Sequence, residues 1–182
     1  VIELHNDKPD VSFKYKRKDN GGKGSAMKLG YSIATGDILI CQDADLELFP
    51  EDYPNLLKPF FQNPEQRVVY GSRILGGNTM GESAFYFGGR LVSLITSILF
   101  GTKLTDQPTG YKIFHKELIP ILVNAHHNGF EWEAEITAKI LKRKYNIKEV
   151  PIRYLPRKVG KKLRWVDGVK IVWTLFKYKI QS

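Results

Sequence analysis

The sequence predicts an α/β fold in which strands and helices alternate and build a mainly parallel sheet flanked by helices. Two observations carry this. Short runs rich in β-branched and aromatic residues, ILIC, VVYGS, YKIF and IKEVPIRY, are separated by longer segments with apolar residues at three- and four-residue steps. Turn signals at Asn20-Gly21-Gly22 and Gly36-Asp37 stand between them, where the chain must switch from one period to the other. With 182 residues, 42% of them hydrophobic, there is enough material for one real core.

The elements follow in order. VIELHNDKPDVSFKYK supplies at most one strand, so the sheet begins mid-fold. KGSAMKLGYSIA reads as a helix with Ala26, Leu29 and Ile33 on one face. ILIC is a buried strand that runs into QDADLE. Pro50 suits the first position of the next helix, with Glu51 and Asp52 favourable in its first turn. After the strand VVYGS, FGGRLVSLITSILFG reads as a largely apolar helix whose only charge is Arg90. A buried guanidinium is costly unless paired, so Arg90 is expected to meet an internal carboxylate or a bound phosphate. YKIF is a strand, EWEAEITAKILKRKY a long amphipathic helix, IKEVPIRY the last strand and RWVDGVKIVWTLFKYKI the last helix. Trp165, Val169, Val172, Trp173, Phe176 and Ile180 recur along that helix among lysines, a pattern shared by interfacial helices and core-packing ones. The expected organisation is one domain over residues 1–163 and an amphipathic helix over 164–182.

The formal net charge is +9, and half of the 28 basic residues fall in residues 139–182, against only Glu149 and Asp167. Such a tail implies a polyanionic partner: nucleic acid, an anionic membrane surface or a phosphorylated substrate. No RNP-like, zinc or helix-turn-helix signature supports a nucleic-acid-binding module. Cys41, without a partner in an apolar strand, fits a reducing compartment and a buried thiol. No signal peptide opens the sequence, and no uncharged stretch of bilayer-spanning length occurs. His126-His127 is an isolated pair, expected in a surface turn, and zinc is disfavoured.

QDADLE places Asp43, Asp45 and Glu47 at alternate positions just beyond a buried strand. On an extended backbone all three project to one side. Oxygen-only ligands at that spacing suit Mg²⁺ or Mn²⁺, which keeps waters and substrate phosphates in its other positions. Read alone, the triplet also fits a solvated acidic loop; its place at a strand's carboxyl end, where open α/β sheets bind ligands, favours the metal. Lys23 lies in KGS, whose spacing fails the P-loop pattern because Gly24 follows the lysine; it opens a helix or faces a phosphate.

The segment NGGKGSAMKLGYSIATGDILICQDADLELFPEDYPNLL resembles the central part of family-2 inverting glycosyltransferases of the GT-A fold, most closely the polyprenyl-phosphate (dolichyl-phosphate-type) glucosyl- and mannosyltransferases. YGSRILGG, the GGR of FYFGGRLVSL, LTDQPTGYKIF, FEWEAEITAKI and VPIRYLPRKVGKKLRWVDG continue the resemblance in the family's order, over roughly residues 18–180. It implies a GT-A-like sheet lacking the usual first strands. It also implies a nucleotide-sugar donor, UDP-glucose or GDP-mannose, bound through Mg²⁺ or Mn²⁺ on Asp43 and Asp45, with Glu47 as third ligand and Lys23 near the phosphates. Arg73, Arg90, Arg157, Lys161 and Lys162 would meet the acceptor phosphate. Asp106, with Arg73, falls at a catalytic position: a general base for a hydroxyl acceptor, or an orienting carboxylate for an already ionised phosphate. One of Glu131, Glu133 and Glu135 would lie near the acceptor. The implied protein is a transferase peripheral to the cytoplasmic face of a membrane, with a polyprenyl phosphate as acceptor; the alternative acceptor is a saccharide hydroxyl. The family's first strand, its D-D-G-S-like turn and its frequent transmembrane helices are missing from the sequence, which is therefore expected to be a fragment or a degenerate copy.

Overall fold

A computed structural model describes residues 12, 14–78, 84–156 and 165–181. Helix α1 (Lys23–Ile33) is followed by β1 (Ile38–Ile40), a 3-10 turn at Pro50–Asp52 that opens α2 (Tyr53–Gln62), and β2 (Val68–Ser72). Then come α3 (Ala84–Phe100), β3 (Lys112–His115), a 3-10 turn at Lys116–Leu118 running into the short α4 (Ile119–Val123), α5 (Glu131–Lys142), β4 (Ile147–Pro151) and α6 (Trp165–Ile180). Pro50 stands at the start of its turn, as its missing N–H and fixed φ favour. Two glycines are obligatory where α1 begins. Gly22 has φ 91°, and a Cβ on it would meet Asn128 O at 2.5 Å; one on Gly24 would meet Trp132 Cβ at 2.5 Å. These bare positions let α1 lie against α5.

The four strands are ordered β1-β3-β2-β4. β2 and β4 pair in parallel, with Tyr70 opposite Glu149, whereas β3 is antiparallel to both neighbours, Leu39 facing Phe114 and Val69 facing Ile113. Three strands run one way as expected and β3 runs against them, so the sheet is mixed. The reason lies in the 101–111 connection. It returns to the end of β2, where Gly71 N bonds Tyr111 O and Ser72 Oγ bonds Thr105 Oγ1, so β3 starts there and can only run back. The carboxyl ends of β1 and β2 and the start of β3 thus share one edge.

One core packs α1, α4 and α5 on the sheet through Tyr31, Tyr70, Phe114, Leu122, Trp132 and Ile136. Each such aliphatic or phenyl side chain contributes about 1.5–3 kcal/mol by leaving water. The other face carries Leu56, Val69, Tyr111, Ile113 and Ile152 under α2. A third cluster joins α3, α5 and α6 through Val92, Ala134, Ala138, Ile171, Leu175 and Tyr178.

The last of these bears on two expectations. On α6, Ile171, Leu175 and Tyr178 are core and Val172 packs partly against them, while Trp165, Val169, Trp173, Phe176 and Ile180 form an exposed stripe on the opposite face. α3 is not buried all round either. Phe87, Leu91, Leu94 and Ile98, at steps of four, three and four, are exposed, and so is Arg90, which lies over the Tyr86 ring at 5.9 Å with its Nη1 3.4 Å from the hydroxyl. Arg90 needs no buried counter-charge because water solvates it. Among the described residues, no helix is long and apolar enough to cross a membrane.

Candidate functional site

A cleft of about 160 Å³ opens at the shared strand edge, lined by Lys23, Asp43, Asp45, Glu47, Arg73 and Tyr154, with Leu48, Pro108 and Gly110 behind them. α1 contributes its first residue, the loop after β1 three carboxylates, the turn after β2 an arginine, and the segment beyond β4 the tyrosine. Asp43, Asp45 and Glu47 reach this cleft along a different path from the extended one expected. The chain turns at Ala44–Glu47, with Leu46 left-handed at φ 61° and Asp45 Oδ1 accepting from Glu47 N at 3.2 Å. Glu47 is tied to the far wall: its Oε2 accepts from the Tyr154 hydroxyl at 3.3 Å, and its carbonyl accepts from Leu155 N at 2.9 Å.

The lining suits a divalent cation. Lys23 and Arg73 against Asp43, Asp45 and Glu47 leave a net charge of −1, which repels a diphosphate; one divalent ion reverses it to +1. The donors are hard oxygens only. Among the described residues no three His, Cys, Asp or Glu side chains converge to enclose an ion; a Mg²⁺-type ion needs only one or two carboxylates and takes water and phosphate in its other positions. Asp43 and Asp45 are the carboxylates that could hold such an ion, while Glu47 is engaged by Tyr154.

Arg73 and Asp106 form the second feature. Asp106 is buried, and Arg73 donates to it through Nε at 2.8 Å, Nη2 at 2.7 Å and its own backbone N at 2.9 Å. Burial works against the Arg73 charge, but the bonds and attraction of Asp106 outweigh it and leave the pKa raised. Glu149 on β4 accepts from the backbone N–H groups of Thr105 and Asp106, fixing the loop that carries the pair. The Arg73 guanidinium also lies over the Tyr154 ring at 5.1 Å.

Of the three glutamates that open α5, Glu133 is the one at the cleft. Its Oε1 meets Lys23 Nζ at 2.8 Å and its Oε2 meets Lys112 Nζ at 3.1 Å, while Lys23 also lies 3.4 Å from Asp43 Oδ2. Burial would raise the Glu133 pKa, but the two ammoniums hold it down at about 2. Glu131 stands near Lys170 at 3.8 Å, and Glu135 is fully buried beneath His127 and Lys139. Cys41, half-buried just past β1, has its thiol pushed up to about 11, chiefly by burial, and packs 3.4 Å from Met27 Sδ.

The structure therefore brings together Lys23, Asp43, Asp45, Glu47, Arg73 and Asp106. Arg90 lies on the outer face of α3, although its neighbour Gly89 approaches Pro108 of the cleft. Arg157, Lys161 and Lys162 lie outside the described residues. Sequence reasoning missed Tyr154 and Lys112. Tyr154 reads as the end of an apolar strand run, and Lys112 as a solvent-side position in YKIF.

Residues 2–120 match glycosyl transferase family 2. A UDP-N-acetylglucosamine–dolichyl-phosphate N-acetylglucosaminyltransferase from Methanococcus voltae is 30% identical over 176 residues, 91% of this chain and 68% of the relative. A dolichyl-phosphate beta-glucosyltransferase from Trichomonas vaginalis is 24% identical over 78% of this chain and 46% of its own length. Among solved structures, glucosyl-3-phosphoglycerate synthase from Mycobacterium tuberculosis superposes with a TM-score of 0.66 in its UDP complex, at 17% identity, over 94% of this chain and 57% of that one. Its complex with Mn²⁺, UDP and phosphoglyceric acid gives 0.63 at 15% identity, with the same 57% spanned. The shared fold is the GT-A-like one, and this chain spans little more than half the length of those solved chains. With the carboxylate loop at a strand end, the arginine after β2 and the family match across most of the chain in agreement, the protein belongs to glycosyl transferase family 2.

Proposed function

We propose that the protein transfers a hexose, with inversion, from a nucleotide-sugar to the phosphate of a polyprenyl phosphate. The observation that carries the acceptor class is that both oxygens of Asp106 are occupied by Arg73 and both oxygens of Glu133 by ammoniums. A hydroxyl acceptor needs a carboxylate free to take its proton; a phosphate is already ionised and needs none. An acceptor phosphate oxygen attacks the anomeric carbon as the bond to the nucleoside diphosphate breaks on the opposite face. Asp43 and Asp45 would hold Mg²⁺ or Mn²⁺, which when bound neutralises charge developing on the departing diphosphate. Lys23 would face that diphosphate, and Arg73, held by Asp106, the acceptor. A uridine-diphosphate sugar is the donor to try first, since the Methanococcus voltae relative is named for one and the structural neighbours bind UDP.

The exposed stripes of α3 and α6, with Arg90, Lys170, Lys177 and Lys179 nearby, support a peripheral membrane attachment, with residues 164–182 acting as an interfacial segment; the face proposed is the cytoplasmic one. Such a surface brings the protein to a lipid acceptor that cannot leave the bilayer.

The test is to incubate the full-length protein with Mn²⁺ and radiolabelled UDP-sugar in the presence of a polyprenyl phosphate or an oligosaccharide. Label extracted into organic solvent only with the lipid supports the reading. Label that appears only in water-soluble saccharide overturns it in favour of the hydroxyl acceptor.

A further inference from the structure

Lys112 is a buried lysine at the first position of β3, 4% exposed, behind the cleft. Its ammonium donates to Thr109 O and to Glu133 Oε2, and lies 5.1 Å from the centre of the Tyr70 ring. It does not line the cleft. Packing does not require a charge there: replacing buried ion pairs with apolar side chains of similar volume is often neutral for stability. Burial lowers the Lys112 pKa, and Glu133 is the main influence that opposes this. A charge kept in so unfavourable a place is best sought in what Glu133 does next.

Glu133 turns its other oxygen to Lys23, and Lys23 is the cation of the cleft that touches a carboxylate of the QDADLE loop. The four groups form an alternating row: Lys112, Glu133, Lys23, Asp43. Lys23 is held between two carboxylates at 2.8 and 3.4 Å, and its balance between them depends on how much of Glu133 is already satisfied from behind. With Lys112 present, Glu133 shares its charge between two ammoniums and leaves Lys23 within reach of Asp43. Without Lys112, Glu133 is left with one ammonium and draws Lys23 back from the cleft.

We propose that Lys112 is a positioning residue for the donor: it anchors Glu133 so that Glu133 presents the Lys23 ammonium beside Asp43, at the point where a nucleoside diphosphate enters. This rests on the donor reading given above, and the experiment separates the two.

Binding of UDP in saturating Mn²⁺ is measured by calorimetry on the full-length protein and on Lys23→Met, Lys112→Met and the double variant. Lys23→Met and Lys112→Met should each weaken binding roughly tenfold, the range for losing or misplacing one charge-assisted hydrogen bond. The double variant should bind no more weakly than Lys23→Met, because Lys112 acts through Lys23. Lys112→Arg should restore most of the affinity. Multiplying effects in the double variant, or unchanged affinity in Lys112→Met, would assign Lys112 to stability alone and overturn the proposal. Should Lys112→Met not fold, Glu133→Gln replaces it in the same cycle, with the same non-additivity expected and simple additivity overturning it. A wild-type protein that binds neither UDP nor GDP with Mn²⁺ sinks the donor reading and the positioning role with it, an outcome distinct from additivity.

Discussion

Arg73 grips Asp106 with both ends of its fork, Nε to Oδ2 at 2.8 Å and Nη2 to Oδ1 at 2.7 Å, and the carboxylate is buried while the arginine lines the cleft. The pair works in one direction: Asp106 is the fixed end and Arg73 the end that can meet a ligand. Arg73 thereby holds one rotamer in the absence of substrate, which would remove part of the ordering cost of capturing a phosphate there.

Asp106→Asn keeps the shape and removes the charge. If Asp106 only holds Arg73, the acceptor KM should rise about tenfold or more, while kcat keeps the pH dependence of the wild type. A general base would behave otherwise, its removal abolishing the acid limb of the profile. Steady-state kinetics from pH 5 to 9 with a lipid-phosphate acceptor decide it. Asp106→Ala is expected to lower stability as well, since it takes the main counter-charge from the half-buried Arg73.

The carboxylates of the loop after β1 lie at a strand end outside the three core clusters, so their loss should spare the fold. Asp43→Asn and Asp45→Asn should each lower transfer by at least about 100-fold, with melting temperature nearly unchanged. Glu47→Gln, whose partner is Tyr154, should cost less. EDTA should abolish wild-type activity and Mn²⁺ restore it. Wild-type rates for both Asp variants in EDTA would remove the metal from the mechanism.

Much of this arrangement was legible in the sequence, for physical reasons. Periodicity announces α5 and α6 because a helix must bury a stripe. It finds α1 but not its face, since Ala26 is exposed while Gly24, Met27 and Tyr31 turn to the core. Asp43 and Asp45 stand out because carboxylates after an apolar run are rarely needed for packing. Direction was not legible: YKIF has the composition of a buried strand whichever way it runs, and only the return of the 101–111 connection to Arg73 reverses β3. Nor was the choice among the α5 glutamates. Glu133 and Glu135 are two residues apart, so they point to nearly opposite sides of the helix, one to the cleft and the other to the His126-His127 turn. Which side faces the sheet edge is set by Gly22 and Gly24 letting α1 pack on α5, a tertiary fact. Arg90 was misplaced because a helix with one charge looks buried, although an exposed apolar stripe produces the same composition.

Glu135 predicts an acid-labile clip. It is fully buried and accepts from the backbone N–H groups of His126 and His127 at 2.8 and 2.9 Å, and pairs with His127 Nδ1 at 2.7 Å and Lys139 Nζ at 2.6 Å. Burial alone would raise its pKa; the Lys139 bond and the two backbone donors outweigh it and bring the pKa to about 2, from an ordinary 4.5. A carboxylate depressed on folding stabilises fully above its unfolded pKa and loses that contribution as pH falls through the folded one. Wild type should therefore lose on the order of 3 kcal/mol between about pH 5 and pH 2 from this group. Glu135→Gln should be less stable at pH 7 and show a shrinking deficit across that window. Urea titrations at several pH values measure both. A deficit that stays constant down to pH 2 would mean the charge contributes nothing there.

The two exposed stripes make the last prediction. Phe87, Leu91, Leu94 and Ile98 on α3, and Trp165, Val169, Trp173, Phe176 and Ile180 on α6, belong to helices that pack against each other, and both turn these residues away from their shared core cluster. Leaving large aromatics in water is unfavourable, and Trp165 and Trp173 are 79% and 70% exposed. Arg90, Lys170, Lys177 and Lys179 are also exposed, which suits an anionic lipid surface where each cation contributes about 1 kcal/mol. The protein should sediment with vesicles containing phosphatidylserine at low salt, leave them at high salt, and ignore neutral vesicles. Trp165→Ala/Trp173→Ala should weaken that binding, and Phe87→Ser/Leu94→Ser should weaken it further, with little change in melting temperature because neither pair belongs to the core. Had these side chains been core structure, the same substitutions would lower the melting temperature by many degrees and leave vesicle binding proportional to whatever protein stayed folded. Loss of fold without a preference for anionic vesicles would end the membrane reading, and with it the simplest account of how a lipid phosphate reaches Arg73.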